Sequence, residues 1–221
     1  MQVNRKTKQN LLFLQGRIVA LGLMMFMVFT FGSCNQNKFE SEQALWAHVK
    51  NDGNGYVHQK TVNNVSYTLT YRPTDILVKQ ELGDRYSERE VDSLRNKYQE
   101  YLYFNLSMSA NNQELLSNKA GNRNAFGAMV NQLAFGMAEK VHLYSKTKDT
   151  IPVADYIYPR MYGMSNSTNI LLVYPRDKKL MEKDFFHFTI EDLGFSTGEV
   201  HFKVPTLPLK DEPKLNFKNI L

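Results

Sequence analysis

The sequence predicts a mainly β, α+β fold in which residues 41–221 form one antiparallel β-sandwich or barrel-like domain with two or three short helices. Three observations point there. Between residues 65 and 72 the side chains alternate strictly, with Val65, Tyr67, Leu69 and Tyr71 on one face and Ser66, Thr68, Thr70 and Arg72 on the other. That is the pattern of a strand with one buried face. Residues 101–108 repeat it with Leu102, Phe104, Leu106 and Met108. From residue 141 onward, short segments with apolar alternation follow one another between turn residues, the spacing of a sandwich or barrel.

In chain order, residues 1–33 stand apart from this domain. Arg5, Lys6, Lys8 and Arg17 precede an apolar run from Ile18 to Phe31, and Gly32-Ser33-Cys34 follows. Charge, then apolar core, then small residues is the order of a secretory signal. The apolar run is shorter than the roughly 20 residues that cross a bilayer as a helix. Cys34 is the single cysteine of the chain, and its thiol suits attachment of a diacylglycerol. Its placement resembles the lipobox of bacterial lipoprotein signal peptides, with Phe31 standing where that pattern usually has an aliphatic residue. Cys34 is therefore expected to be the lipidation site, with residues 34–40 as acylated cysteine and short polar tether.

Ser41 is a plausible N-cap for a helix carrying Leu45, Trp46 and Val49 and ending at Asn51-Asp52-Gly53. Asn63-Asn64 can take positive φ, so residues 56–62 are expected to pair back on the strand at 65–72 as a hairpin. Pro73 stops that strand, and Thr74 is expected to cap a helix running to Leu82. Ser87-x-x-Glu90 matches a capping box, and Val91, Leu94 and Tyr98 share the face of the helix it opens. Residues 111–124 read as a polar loop, and Phe126, Met129, Val130 and Leu133 predict a helix within 125–140. The expected later strands are 141–145, 151–158, 169–174, 185–190 and 199–204.

Composition excludes several chemistries. The chain carries 27 basic and 22 acidic side chains. Four of the basic ones and no acid lie in the leader, so the remainder is close to neutral, without the basic stripe that nucleic-acid binding needs. One cysteine rules out an internal disulfide and thiolate metal centres. The five histidines lack metal-ligand spacing, and His187 and His201 are expected to face solvent from their strands. Asp52-Gly-Asn-Gly-Tyr56 lacks the oxygen and glycine that a calcium loop needs at its fifth and sixth positions, and reads as a turn. Gly163-Met-Ser-Asn-Ser167 lacks the last glycine of a nucleophile elbow and precedes a strand. Glu40 with Glu42, and Glu191 with Asp192, are acid pairs that serve acid–base chemistry only across a cleft. No cofactor is expected, and no complete catalytic pattern is present.

Tyr156, Tyr158 and Tyr162, together with Trp46, are the candidate ligand-binding residues, because exposed tyrosine faces can stack on a glycan or peptide. Packing of Tyr156 and Tyr158 into the core, with Ile157 on the opposite side, is the competing and simpler reading.

The Gly32-Ser33-Cys34 site and a β-rich body after a short tether together resemble the lipoproteins of Bacteroidota-type bacteria. The resemblance implies an outer-membrane anchor through the lipid on Cys34, Asn35 favouring the outer membrane. The lipobox, the near-neutral charge and the absence of any complete catalytic or metal pattern together lead to the expectation of a non-enzymatic β-rich domain that contacts other cell-envelope proteins. The alternative is a lipid-anchored glycan- or peptide-binding module using the three tyrosines.

Overall fold

Alternating strands build two antiparallel sheets whose apolar faces meet. The computed structural model describes residues 37–83, 85–161 and 163–217, so Cys34 and Tyr162 lie outside the described residues.

The described chain opens with β1 (Lys38–Phe39) and α1 (Glu42–Val49). The Ser41 hydroxyl accepts from the Ala44 N–H at 3.2 Å, the expected N-cap. A short 3₁₀ turn at Asp52–Asn54 leads into the hairpin of β2 (Val57–Val62) and β3 (Val65–Tyr71). Asn63 and Asn64 sit between them at φ 47° and 60°, the left-handed pair that a tight two-residue hairpin loop requires. After Pro73 come α2 (Thr74–Glu81), α3 (Glu88–Tyr98), β4 (Tyr101–Ala110) and α4 (Arg123–Phe135). The Ser87–Glu90 capping box of α3 is closed in both directions. Then follow β5 (Val141–Tyr144), β6 (Thr150–Ile151), β7 (Asp155–Ile157), β8 (Thr168–Pro175), α5 (Lys178–Met181), β9 (Phe185–Ile190), β10 (Val200–Pro205), α6 (Leu207–Lys210) and β11 (Lys214–Leu215).

One sheet has the order β2-β3-β4-β8-β7 and the other β10-β9-β5-β6, with antiparallel pairing throughout. The inner faces interdigitate around Phe104, whose ring centroid lies 6.1 Å from Phe186 and 6.5 Å from Phe188 across the sheets. Val65, Tyr67, Leu69 and Tyr71 are all buried, and Thr68 and Thr70 are half-buried on the other face. The fold is thus a mainly β, sandwich-like α+β domain, as its alternation predicts.

Four expectations are corrected. Helices number six among the described residues rather than two or three; α5 and α6 are single turns too short to show a period. The strand expected at 151–158 is broken, because Pro152 cannot donate to a ladder. Its first part, β6, pairs with β5, and its second, β7, crosses to the other sheet beside β8. Folded structure begins before Ser41, since β1 runs parallel to β11. Finally, Pro73, not Thr74, occupies the N-cap of α2 and offers no side-chain bond. The Glu212 carboxylate supplies it from the far end of the chain, accepting from the Thr74 N–H at 2.9 Å and the Thr74 hydroxyl at 3.0 Å.

Candidate functional site

The outer face of the five-stranded sheet ends in a cleft beneath α1. Burial of Leu45 and Val49, one turn apart, fixes the roll of that helix and leaves Trp46 and Lys50 on the flank beside the sheet. Thr70 of β3 and Asn105 of β4 are direct cross-strand partners and form the floor. Arg72, where β3 gives way to Pro73, closes one end and Glu42 lies at the rim. The cleft measures about 870 Å³, within the range of small-ligand sites.

Its electrostatics centre on Arg72. The guanidinium lies 6.0 Å from the Trp46 ring, and Lys50 Nζ lies 5.9 Å from the same ring. Arg72 Nη2 donates to Gln80 Oε1 at 2.7 Å, while Nε is buried with no hydrogen-bond partner. Among the described residues no carboxylate comes within ion-pair distance of Arg72 or Lys50. Burial pushes the Arg72 guanidinium below its usual value, and the charge of Glu42 opposes that shift. The Trp46 indole N–H donates to Glu42 Oε1 at 3.3 Å, which holds the ring in place. A half-buried guanidinium with no carboxylate in direct contact is costly unless something further shares its charge. Its planar fork is suited to a carboxylate or another oxyanion.

Tyr156 and Tyr158 lie elsewhere. Tyr156 pairs with Leu172 on the core face of β8 and is half-buried, and Tyr158 also packs against the core. Ile157, between them, points outward and is 54% exposed. Of the three aromatic candidates among the described residues, only Trp46 lines the cleft. Sequence reasoning had placed Thr70 and Arg72 on the polar face of their strand. Nothing local to either segment records that the Trp46 flank of α1 shares a cleft with that face.

The acid pairs are engaged in structure. Glu191 accepts from Lys140 Nζ at 2.7 Å and lies 3.0 Å from His142 Nε2; those two partners hold its carboxyl below the usual range. Asp192 accepts from the backbone N–H groups of Gly194 and Phe195. Glu40 binds Asn216. His201 is exposed and His187 half-buried on the outer face of the four-stranded sheet, as their alternation predicts. Gly163–Ser167 immediately precedes β8 and opens no helix. Among the described residues no group of three or more His, Cys, Asp and Glu side chains is placed to hold a metal ion. Among them, too, no helix is long and apolar enough to cross a membrane.

Comparison with protein-family models, curated proteins and solved structures finds no match to this chain.

Proposed function

We propose that this chain is a lipid-anchored protein of the cell envelope, held in the outer membrane through Cys34, whose β-rich domain binds a partner rather than catalysing a reaction. The partner is another envelope protein, and the cleft beneath α1 receives a carboxylate from it. The observation that carries this reading is Arg72, a guanidinium fixed by Gln80 and Trp46 at an open cleft, with Glu42 acting on it from the same cleft but no described carboxylate within ion-pair distance. Engagement of the acid pairs in local bonds supports binding over acid–base chemistry.

A glycan-binding module is the second reading, and one feature favours it. The outer face leading to the cleft carries hydroxyls and amides in register, Thr68 beside Ser107 beside Asn169 and Thr70 beside Asn105. Such rows can bond sugar hydroxyls without a charged group.

Capture of the tagged full-length chain from solubilised membranes tests both. The wild type is expected to retain an envelope protein that Arg72→Gln loses by about tenfold, the worth of one charge-assisted pair. In the same cells a clickable palmitate analogue is expected to label the wild type and not Cys34→Ala. Equal labelling of the two overturns the anchor. Undiminished capture by Arg72→Gln overturns the cleft, and capture of glycan without protein moves the conclusion to the second reading.

A further inference from the structure

A second groove, of about 570 Å³, runs where β2 ends one sheet and β10 ends the other. Four consecutive residues of β2, Val57 to Lys60, and three consecutive residues of β10, His201 to Lys203, line it. Neighbouring residues of a strand face opposite ways. Consecutive lining therefore means that the groove takes in the strand edges themselves, where peptide groups are exposed, as well as the outer sheet face at His187 of β9.

Which peptide groups are free follows from the hydrogen-bond phase. The Thr206 N–H donates to the Asp184 carbonyl. With the register of β9 and β10, this makes Val204–Phe186, Phe202–Phe188 and Val200–Ile190 the bonded pairs. The N–H and C=O of His201 and Lys203 consequently point away from β9, at the outermost strand of the sheet. Each such residue offers both a donor and an acceptor. An oxyanion would be repelled by the acceptors, whereas another extended chain satisfies both.

Charge narrows the partner. His201 and Lys203 carry exposed side chains two residues apart on one face of β10, and Lys60 leans across from β2 to lie 6.0 Å from the Phe202 ring. Lys203 Nζ rests 4.0 Å from the Phe185 ring. Two carboxylates are close by: Asp52 lines the groove and Glu199 lies 3.5 Å from His201. Neither forms an ion pair with Lys60 or Lys203, and no other described carboxylate does. Lysine on an open edge deters pairing with neutral or basic strands and with a second copy of this chain, which would bring the same cations. A strand with acids at alternate positions meets attraction instead.

We propose that the β10 edge is a docking site for an extended acidic peptide segment of a partner protein, with carboxylates at alternate residues facing His201 and Lys203. The segment lengthens the four-stranded sheet by one strand, and Lys60 closes over it. This site is separate from the cleft beneath α1 and does not depend on it.

Four synthetic octapeptides, titrated into the full-length chain in detergent, test the proposal. One alternates Glu with Val, the second alternates Lys with Val, and the third and fourth are the acidic peptide N-methylated at alternate residues, each along one of its two edges. The acidic peptide is expected to bind saturably and to slow hydrogen exchange at the His201 and Lys203 amides. N-methylation of the paired edge, or Lys60→Ala with Lys203→Ala, should weaken binding about tenfold or more. The N-methylated probe leaves the protein untouched, so a poorly folded lysine variant cannot decide the result. Equal binding of the acidic and lysine peptides, indifference to N-methylation along both edges, or no saturable binding overturns the proposal. So does peptide-independent protection that grows with protein concentration, which would assign the edge to a second copy of the chain.

Discussion

Glu212 ties three separate segments of the described fold together through one carboxylate. Its carboxylate accepts from the Tyr71 hydroxyl at 2.8 Å, from both Thr74 donors, and from Arg176 Nη2 at 3.2 Å. Arg176 in turn donates to the Leu209 carbonyl at 3.0 Å and to the Tyr71 hydroxyl at 2.8 Å. Only 13% of the Glu212 side chain and 19% of that of Arg176 is exposed. A largely buried pair of this kind adds little over an apolar pair, but losing one member strands the other's charge. Glu212→Ala is expected to cost about 3–5 kcal/mol. Glu212→Gln, which keeps an acceptor for Thr74, should cost less. Denaturant melts followed by Trp46 fluorescence check this, and a loss below about 1 kcal/mol would mean that water replaces the carboxylate at little cost.

At the scale of elements, β3 gives the sharpest contrast. Leu69 is fully buried in the inner face, and its neighbour Thr68 faces outward. Leu69→Ala should destabilise the domain by about 2–5 kcal/mol, and Thr68→Ala by about 0.5 kcal/mol or less. Equal losses in urea melts would mean that both faces of the sheet are packed. The hairpin, β3, β4, the Ser41 cap and the α3 capping box were legible because each rests on signals within a few residues: an Asn pair, a period of two, a Ser three residues before a Glu. The Glu212 cap on α2 was not, since its two partners stand 138 residues apart. The same holds for the cleft. Local pattern put Arg72 on the polar face, and only the fold brings Trp46 to it. For the tyrosines, alternation places Tyr156 and Tyr158 on one face with core packing as the simpler reading, and the pairing of β7 with β8 puts that face against the core.

Across the whole molecule, buried phenols set an alkaline limit. Burial pushes Tyr56 up to about 12, with the carboxylates of Glu212 and Asp211 adding to the shift. Tyr103 is also raised to about 12, by burial and then by Tyr98, Tyr101 and Glu81. A free phenol ionises near pH 10. The folded state therefore favours the neutral forms, and their contribution is whole below about pH 10 and is lost as pH rises through about 12. The denaturant midpoint should fall across that window, and less steeply in Tyr56→Phe; a midpoint level to pH 12 would count against burial as the cause. The joining of the two chain ends matters in another way, as mechanics. The Lys214 N–H donates to the Asn37 carbonyl and the Asn216 N–H to the Phe39 carbonyl, so β1 is stitched alongside β11. The Leu215 N–H bonds Asp75 at 2.7 Å, and Asp75 grips Arg95 through two bonds of 2.7 Å. If the chain is anchored at Cys34 as proposed, load that enters along β1 falls on paired bonds that cross to β11 and strains them together. The load would then spread through Asp75 into α2 and α3. In such a tethered molecule the stitch is a strain relief, keeping tension on the anchor away from the sheets that form both candidate binding surfaces.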